Sequence, residues 1–85
     1  MKGMIKIREY SSLFNAFYDI YDVVFISNMT QNYFYVENHR EYKDDLADII
    51  TKNERIYFVW KKSNEIKALY REWCQKGLNK ENNEK

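Results

Sequence analysis

The sequence predicts an α+β fold: a small, mostly antiparallel sheet of three to four strands with two or three helices packed on it. Three observations carry this reading. Short apolar runs with a period of two alternate along the chain with runs at helical spacing. Apolar residues make up 45% of the 85 positions and aromatics 18%, which is enough to build a core and too much for a disordered chain. There are two Gly and no Pro, so the chain lacks glycine-rich phosphate loops and favours regular elements joined by short polar turns. The length suits a single domain, assigned to residues 1–78, and residues 79–85, which contain no apolar side chain, read as a disordered polar tail.

Met4 to Glu9 sets Ile5 and Ile7 against Lys6 and Arg8, the period of a half-buried strand. From Ser12 the pattern changes. Leu13, Phe14, Phe17, Tyr18 and Tyr21 recur at helical spacing behind Ser11 or Ser12 as a cap, although the same residues also fit a strand. The adopted reading is a short helix followed by a strand from Asp22 to Ser27. Val23, Val24, Phe25 and Ile26 make that strand apolar on both faces, as in a central strand or one lying against a partner. Asn28 with Gln31 has the form of a capping box, so a helix starts there with Met29, Tyr33 and Val36 as its inward stripe, closed by Asn38 and His39. Leu46–Ile50 and Arg55–Trp60 flank the polar run 51–54 and predict a β-hairpin whose second arm is central. Ser63 then caps a helix in which Ile66, Leu69, Tyr70 and Trp73 face inward, with Gly77 as its stop.

Three segments carry a resemblance: the strand-to-helix step Phe25-Ile26-Ser27-Asn28, the aromatic strand Ile56-Tyr57-Phe58-Val59-Trp60, and the helix from Glu65 to Trp73. From Phe25 to Trp73 this layout resembles small domain-of-unknown-function proteins of phages, prophages and conjugative elements in low-GC Gram-positive bacteria. Asn38-His39 departs from that pattern, standing in place of a glycine-containing turn. The resemblance implies a mobile-element accessory protein and assigns no functional residue.

The sequence offers little for catalysis. His39, Cys74, Asp44, Asp45 and Asp48 are the candidate groups, and they form no recognisable set. His39 reads as a helix-terminal residue, Cys74 as a half-buried helix residue, and the acidic run 44–48 as a solvated edge. One His and one Cys supply no zinc spacing, and the acidic run lacks the glycine and terminal Glu of a calcium loop. No catalytic residue, cofactor or metal is therefore expected. A single cysteine without a leader pattern reads as cytoplasmic, and polar residues interrupt the most apolar stretch, so no membrane span is expected.

Charge and aromatic surplus say more. Residues 1–51 carry net −3 and residues 52–80 net +5. Lys61, Lys62, Lys67, Arg71 and Lys76 form a basic region around the last helix. Eight Tyr and two Trp exceed what a small core encloses, which makes Tyr33, Tyr35, Tyr42 and Tyr10 candidates for a partner surface. These features fit a non-enzymatic binding protein, and with the mobile-element setting that the resemblance implies, the expectation is a regulatory protein of a phage or mobile element that binds a host or element-encoded macromolecule, for example as an inhibitor of a defence complex or polymerase. The alternative is a DNA-binding accessory protein, a repressor or recombination directionality factor, using the basic region on phosphates. A homodimer is weighed evenly against closure of the second sheet face by the segment through Tyr21.

Overall fold

A computed structural model of the chain describes residues 7–76. In order these form β1 (Arg8–Ser11), β2 (Ala16–Asp19), a single 3-10 turn (Ile20–Asp22), β3 (Val23–Ile26), α1 (Met29–Asn38), the one-turn α2 (Tyr42–Asp45), β4 (Leu46–Lys52), β5 (Arg55–Lys61) and α3 (Asn64–Gln75). β1 and β2 make a two-stranded hairpin, and the main sheet has the antiparallel order β3-β5-β4. The mixed, antiparallel α+β architecture is the one the sequence predicts. The Gly77 stop and the tail at 79–85 lie outside the described residues, as do Met4, Ile5 and Lys6 of the first expected strand.

β5 is central, with apolar residues on both faces, and Val59 and Trp60 are fully enclosed. β4 and β5 meet across the two-residue loop Asn53-Glu54, with φ of 53° and 66°. Both residues are left-handed, which matches the turn to the twist of the strands. β4 carries an irregularity between Leu46 and Asp48, so Leu46 joins the helix-side core while the next two residues, Ala47 and Asp48, are buried towards the other face. β3, for which the sequence leaves open a central strand or one lying against a partner, is an edge strand that pairs only with β5 among the described residues. Its double-sided apolar pattern has another cause: Val24 and Ile26 face the helices, Val23 is buried on the second face, and Phe25 stays 42% exposed.

The helices lie on one face. Asn28 caps α1 by accepting the Gln31 N–H at 3.2 Å, but Gln31 does not reach back to it; its Nε2 donates to the Tyr35 hydroxyl at 2.9 Å. The inward stripe also differs from the expected one. Met29 and Tyr33 are exposed, whereas Asn32 and Tyr35 are buried and Phe34 and Val36 pack beside them. A buried polar residue sets the phase: Asn32 Oδ1 accepts from Trp60 Nε1 at 2.8 Å and its Nδ2 donates to the Ile26 carbonyl at 3.0 Å. The helix thereby binds both β3 and β5 through one amide. In α3, Ser63 caps by accepting the Ile66 N–H at 3.1 Å. Ile66, Leu69 and Trp73 are buried as expected, each contributing roughly 1.5–3 kcal/mol by leaving water, but Tyr70 turns outward and is 54% exposed.

No helix forms over Leu13 to Tyr21. The aromatic run folds back as the β1–β2 hairpin, whose loop ends on Asn15 at φ 55°. Ser11 caps this turn by accepting the Phe14 N–H at 3.1 Å, the bond a helix would have taken. The same Ser11 hydroxyl donates to Asp48 Oδ1 at 2.7 Å, and Tyr18 donates to Asp48 Oδ2 at 3.2 Å. Asp48 is therefore not part of a solvated edge: it is a buried anchor that holds the hairpin over β4. Burial, with the adjacent Asp48 carboxylate second, pushes the Tyr18 phenol up to about 12. The rest of the acidic run divides. Asp44 is exposed, while Asp45 accepts from Ser63 Oγ and bonds His39 Nε2, both at 2.8 Å. Among the described residues, no helix is long and apolar enough to cross a membrane, and no group of three or more His, Cys, Asp or Glu is placed to hold a metal.

Candidate functional site: a basic-rimmed groove beside the edge strand

An open groove of about 670 Å³ lies between β3, the first turns of α1 and α3. Val24, Ile26, Ile66 and Tyr70 give it an apolar floor, and the α1 end contributes Asn28, Gln31 and the Tyr35 hydroxyl. Lys62, Lys67 and Arg71 rim it, and no Asp or Glu lines it. Each cation has a local reason for its place. Lys62 follows the last sheet residue, its N–H donating to the Asp22 carbonyl at 2.9 Å and its Nζ to the Tyr21 carbonyl at 3.0 Å. Lys67 and Arg71 are four residues apart on α3, hence on one side of the helix, next to the floor residues Ile66 and Tyr70. The ion pairs among the described residues are His39–Asp45 and Glu72–Lys76, so none of the three rim cations has a carboxylate partner among those residues.

Groove burial has a chemical consequence at one end. Tyr35 is fully enclosed, and burial raises its phenol above the ordinary range, with the Gln31 hydrogen bond acting in the opposite direction. The hydroxyl therefore stays protonated at neutral pH, with the Gln31 amide donating to it.

The structure brings together some of the candidates and separates others. Lys62, Lys67 and Arg71 share the groove. Lys61 does not: it pairs with Val23 in the sheet, so its side chain belongs to the opposite face, in a depression with Asp19, Asp22 and Asp45 that Lys62 also borders. Lys76 is occupied, 3.1 Å from Glu72 and 5.7 Å above the Phe34 ring. Tyr33 is 64% exposed but does not line the groove, and Tyr42 is half-buried against the helix-side core. Tyr35 is a core residue that shows the groove only its hydroxyl end. Tyr10 is exposed on the hairpin, where its ring meets Phe17 edge-on at 5.1 Å and its hydroxyl bonds Asn15. His39 and Cys74 take separate partners, His39 at Asp45 and Cys74 beside Tyr70 one turn earlier on α3.

Sequence reasoning missed Val24, Ile26, Ile66 and Tyr70 as groove floor. All four read as core; Val24 and Ile26 border the groove because β3 is an edge strand, a property of sheet order rather than of local pattern, and Tyr70 because it turns outward from α3 above the buried Ile66. Asn28 and Gln31 were legible as a helix start, not as groove residues. Comparison with known protein families, curated proteins and solved structures finds no match to this chain.

Proposed function

We propose that the chain is a non-enzymatic binding protein whose groove takes an acidic segment of another protein. The observation that carries this reading is the pairing of an apolar floor with three rim cations that have no carboxylate partner among the described residues. An apolar floor supplies contact area and the cations select and orient a negatively charged occupant. In the mobile-element setting that the sequence resembles, the occupant belongs to a host or element-encoded assembly whose activity the small protein modulates.

The arrangement favours protein over DNA. Duplex binding relies on several cations laid out along a phosphate path. Here Lys61 is on the other face and Lys76 is paired, which leaves three cations flanking an apolar trough. Fluorescence anisotropy with a labelled Glu-Gly repeat peptide and with a random-sequence duplex separates the two. The peptide is expected to bind, and the double substitution Lys67→Glu/Arg71→Glu to weaken it at least about tenfold, which is about 1.4 kcal/mol. Peptide binding indifferent to charge reversal refutes the reading. Preference for the duplex, with a log–log salt slope of about −3 to −5, replaces it with the DNA-binding alternative.

A further inference from the structure

The backbone along the groove points to how such an occupant sits. The Lys62 N–H to Asp22 carbonyl bond fixes the phase of the β3–β5 ladder. In an antiparallel pair, residues that exchange hydrogen bonds alternate with residues that do not. Asp22, Val24 and Ile26 are therefore turned towards β5, opposite Lys62, Trp60 and Phe58. Val23 and Phe25 turn their N–H and C=O outward, to the side of β3 that has no strand neighbour among the described residues. No hydrogen bond from a turn, loop or side chain in the described residues reaches the Phe25 backbone. Phe25 is also a lining residue of the groove.

We infer that the groove binds its partner by strand addition: an extended segment pairs with the open edge of β3, with alternate acidic and apolar side chains. This rests on the groove reading above and specifies its occupant. Two spacings agree. Lys67 and Arg71, four residues apart, lie about 6 Å apart along the helix axis, and alternate side chains of a strand lie about 6.6–6.8 Å apart. Two Glu residues at i and i+2 thus meet the two cations, their methylene stems lying on Ile66 and Tyr70. The residues between them fall on the opposite face of the sheet, beside the exposed rings of Phe25 and Tyr21, where apolar side chains fit. Exposed sheet edges recruit extended peptides in this way, with the main chain giving affinity and alternate side chains giving selectivity. β3 has no Pro, and within it no charged residue blunts its edge.

The test uses the full chain and three capped peptides of sequence Glu-Val-Glu-Val-Glu-Val: one unmodified, one N-methylated on its Glu amides, one on its Val amides. Strand addition turns only one of those two amide sets towards β3. One methylated peptide is therefore expected to bind at least about tenfold more weakly than the unmodified one, and the other to bind comparably. The Phe25 amide, followed by NMR-detected hydrogen exchange, is expected to gain protection with the unmodified peptide, and Lys67→Glu/Arg71→Glu to lose binding. Equal binding of all three peptides, or no protection at Phe25, overturns strand addition; the groove reading survives if charge reversal still weakens binding. A methylation contrast that persists with no effect of charge reversal overturns the acidic alternation and the groove reading, leaving bare edge pairing. Absence of binding by any peptide at millimolar concentration overturns both.

Discussion

Replacing Asn32 tests the joint that holds α1 to the sheet. Asn32 is 1% exposed, and its amide satisfies the indole N–H of the fully enclosed Trp60 and caps the Ile26 carbonyl. Asn32→Leu keeps the branched shape and leaves the Trp60 indole N–H without its acceptor, while the Ile26 carbonyl, paired with Phe58 in the ladder, loses only its second bond. An unsatisfied buried polar group costs about 1–3 kcal/mol, and with the indole N–H as the one orphaned group the expected loss is about 2 kcal/mol. That is a large fraction of the roughly 4–13 kcal/mol a domain this size has, and at about 4–8 °C per kcal/mol it lowers Tm by about 8–16 °C. The assay is urea denaturation followed by far-UV circular dichroism, with m unchanged and only the midpoint moving. Trp60→Phe in the Asn32→Leu background removes the orphaned donor, so the pair of substitutions is expected to cost less than their sum by about 1 kcal/mol or more. An Asn32→Leu variant as stable as the parent, or additivity within about 0.5 kcal/mol, would falsify the account of Asn32 as the polar joint.

Three further outcomes follow from the same geometry. The Tyr18 phenol is raised in the folded state, so its contribution to stability is whole below the ordinary value near 10 and is lost as pH rises towards about 12; the denaturation midpoint of the parent is expected to fall more steeply over that window than that of Tyr18→Phe, and parallel profiles contradict the Asp48 anchor. Glu54 sits at φ 66° in the β4–β5 turn, so Glu54→Gly relieves a left-handed residue and raises stability by about 1 kcal/mol, read as a Tm increase of a few degrees. Ser63→Ala removes both the cap on the Ile66 N–H and the donor to Asp45, for an expected loss of about 1–2 kcal/mol in the same denaturation assay.

What the sequence could announce was local. Asn28 and Ser63 as caps, the polar turn between two apolar arms, and Ile66, Leu69 and Trp73 as a stripe all depend on residues within a few positions of one another. Failures came where a distant residue decided. The aromatic run from Leu13 to Tyr21 fits helix and strand equally, and Asp48, thirty-seven positions from Ser11, stabilises the hairpin. Met29 and Tyr33 outscore Asn32 on hydropathy, yet the Trp60 N–H needs an acceptor, and that need rotates α1. Of the basic region, the Lys67–Arg71 pair was legible from helical spacing, whereas the separation of Lys61 from Lys62 depends on which sheet face each takes.

The sheet order also dictates a sequence of assembly. β4 and β5 are joined by two residues and zip from their own turn, whereas Val23 finds Lys61 only after the intervening chain has closed on itself. β3 is thus the last strand to join and the first to leave, and native-state exchange is expected to run fastest there and slowest in β5. The edge that borders the groove is therefore the least secured part of the sheet. An occupant that pairs with it completes the docking of the protein's own late strand, so that occupancy and slow opening of β3 become one measurable event.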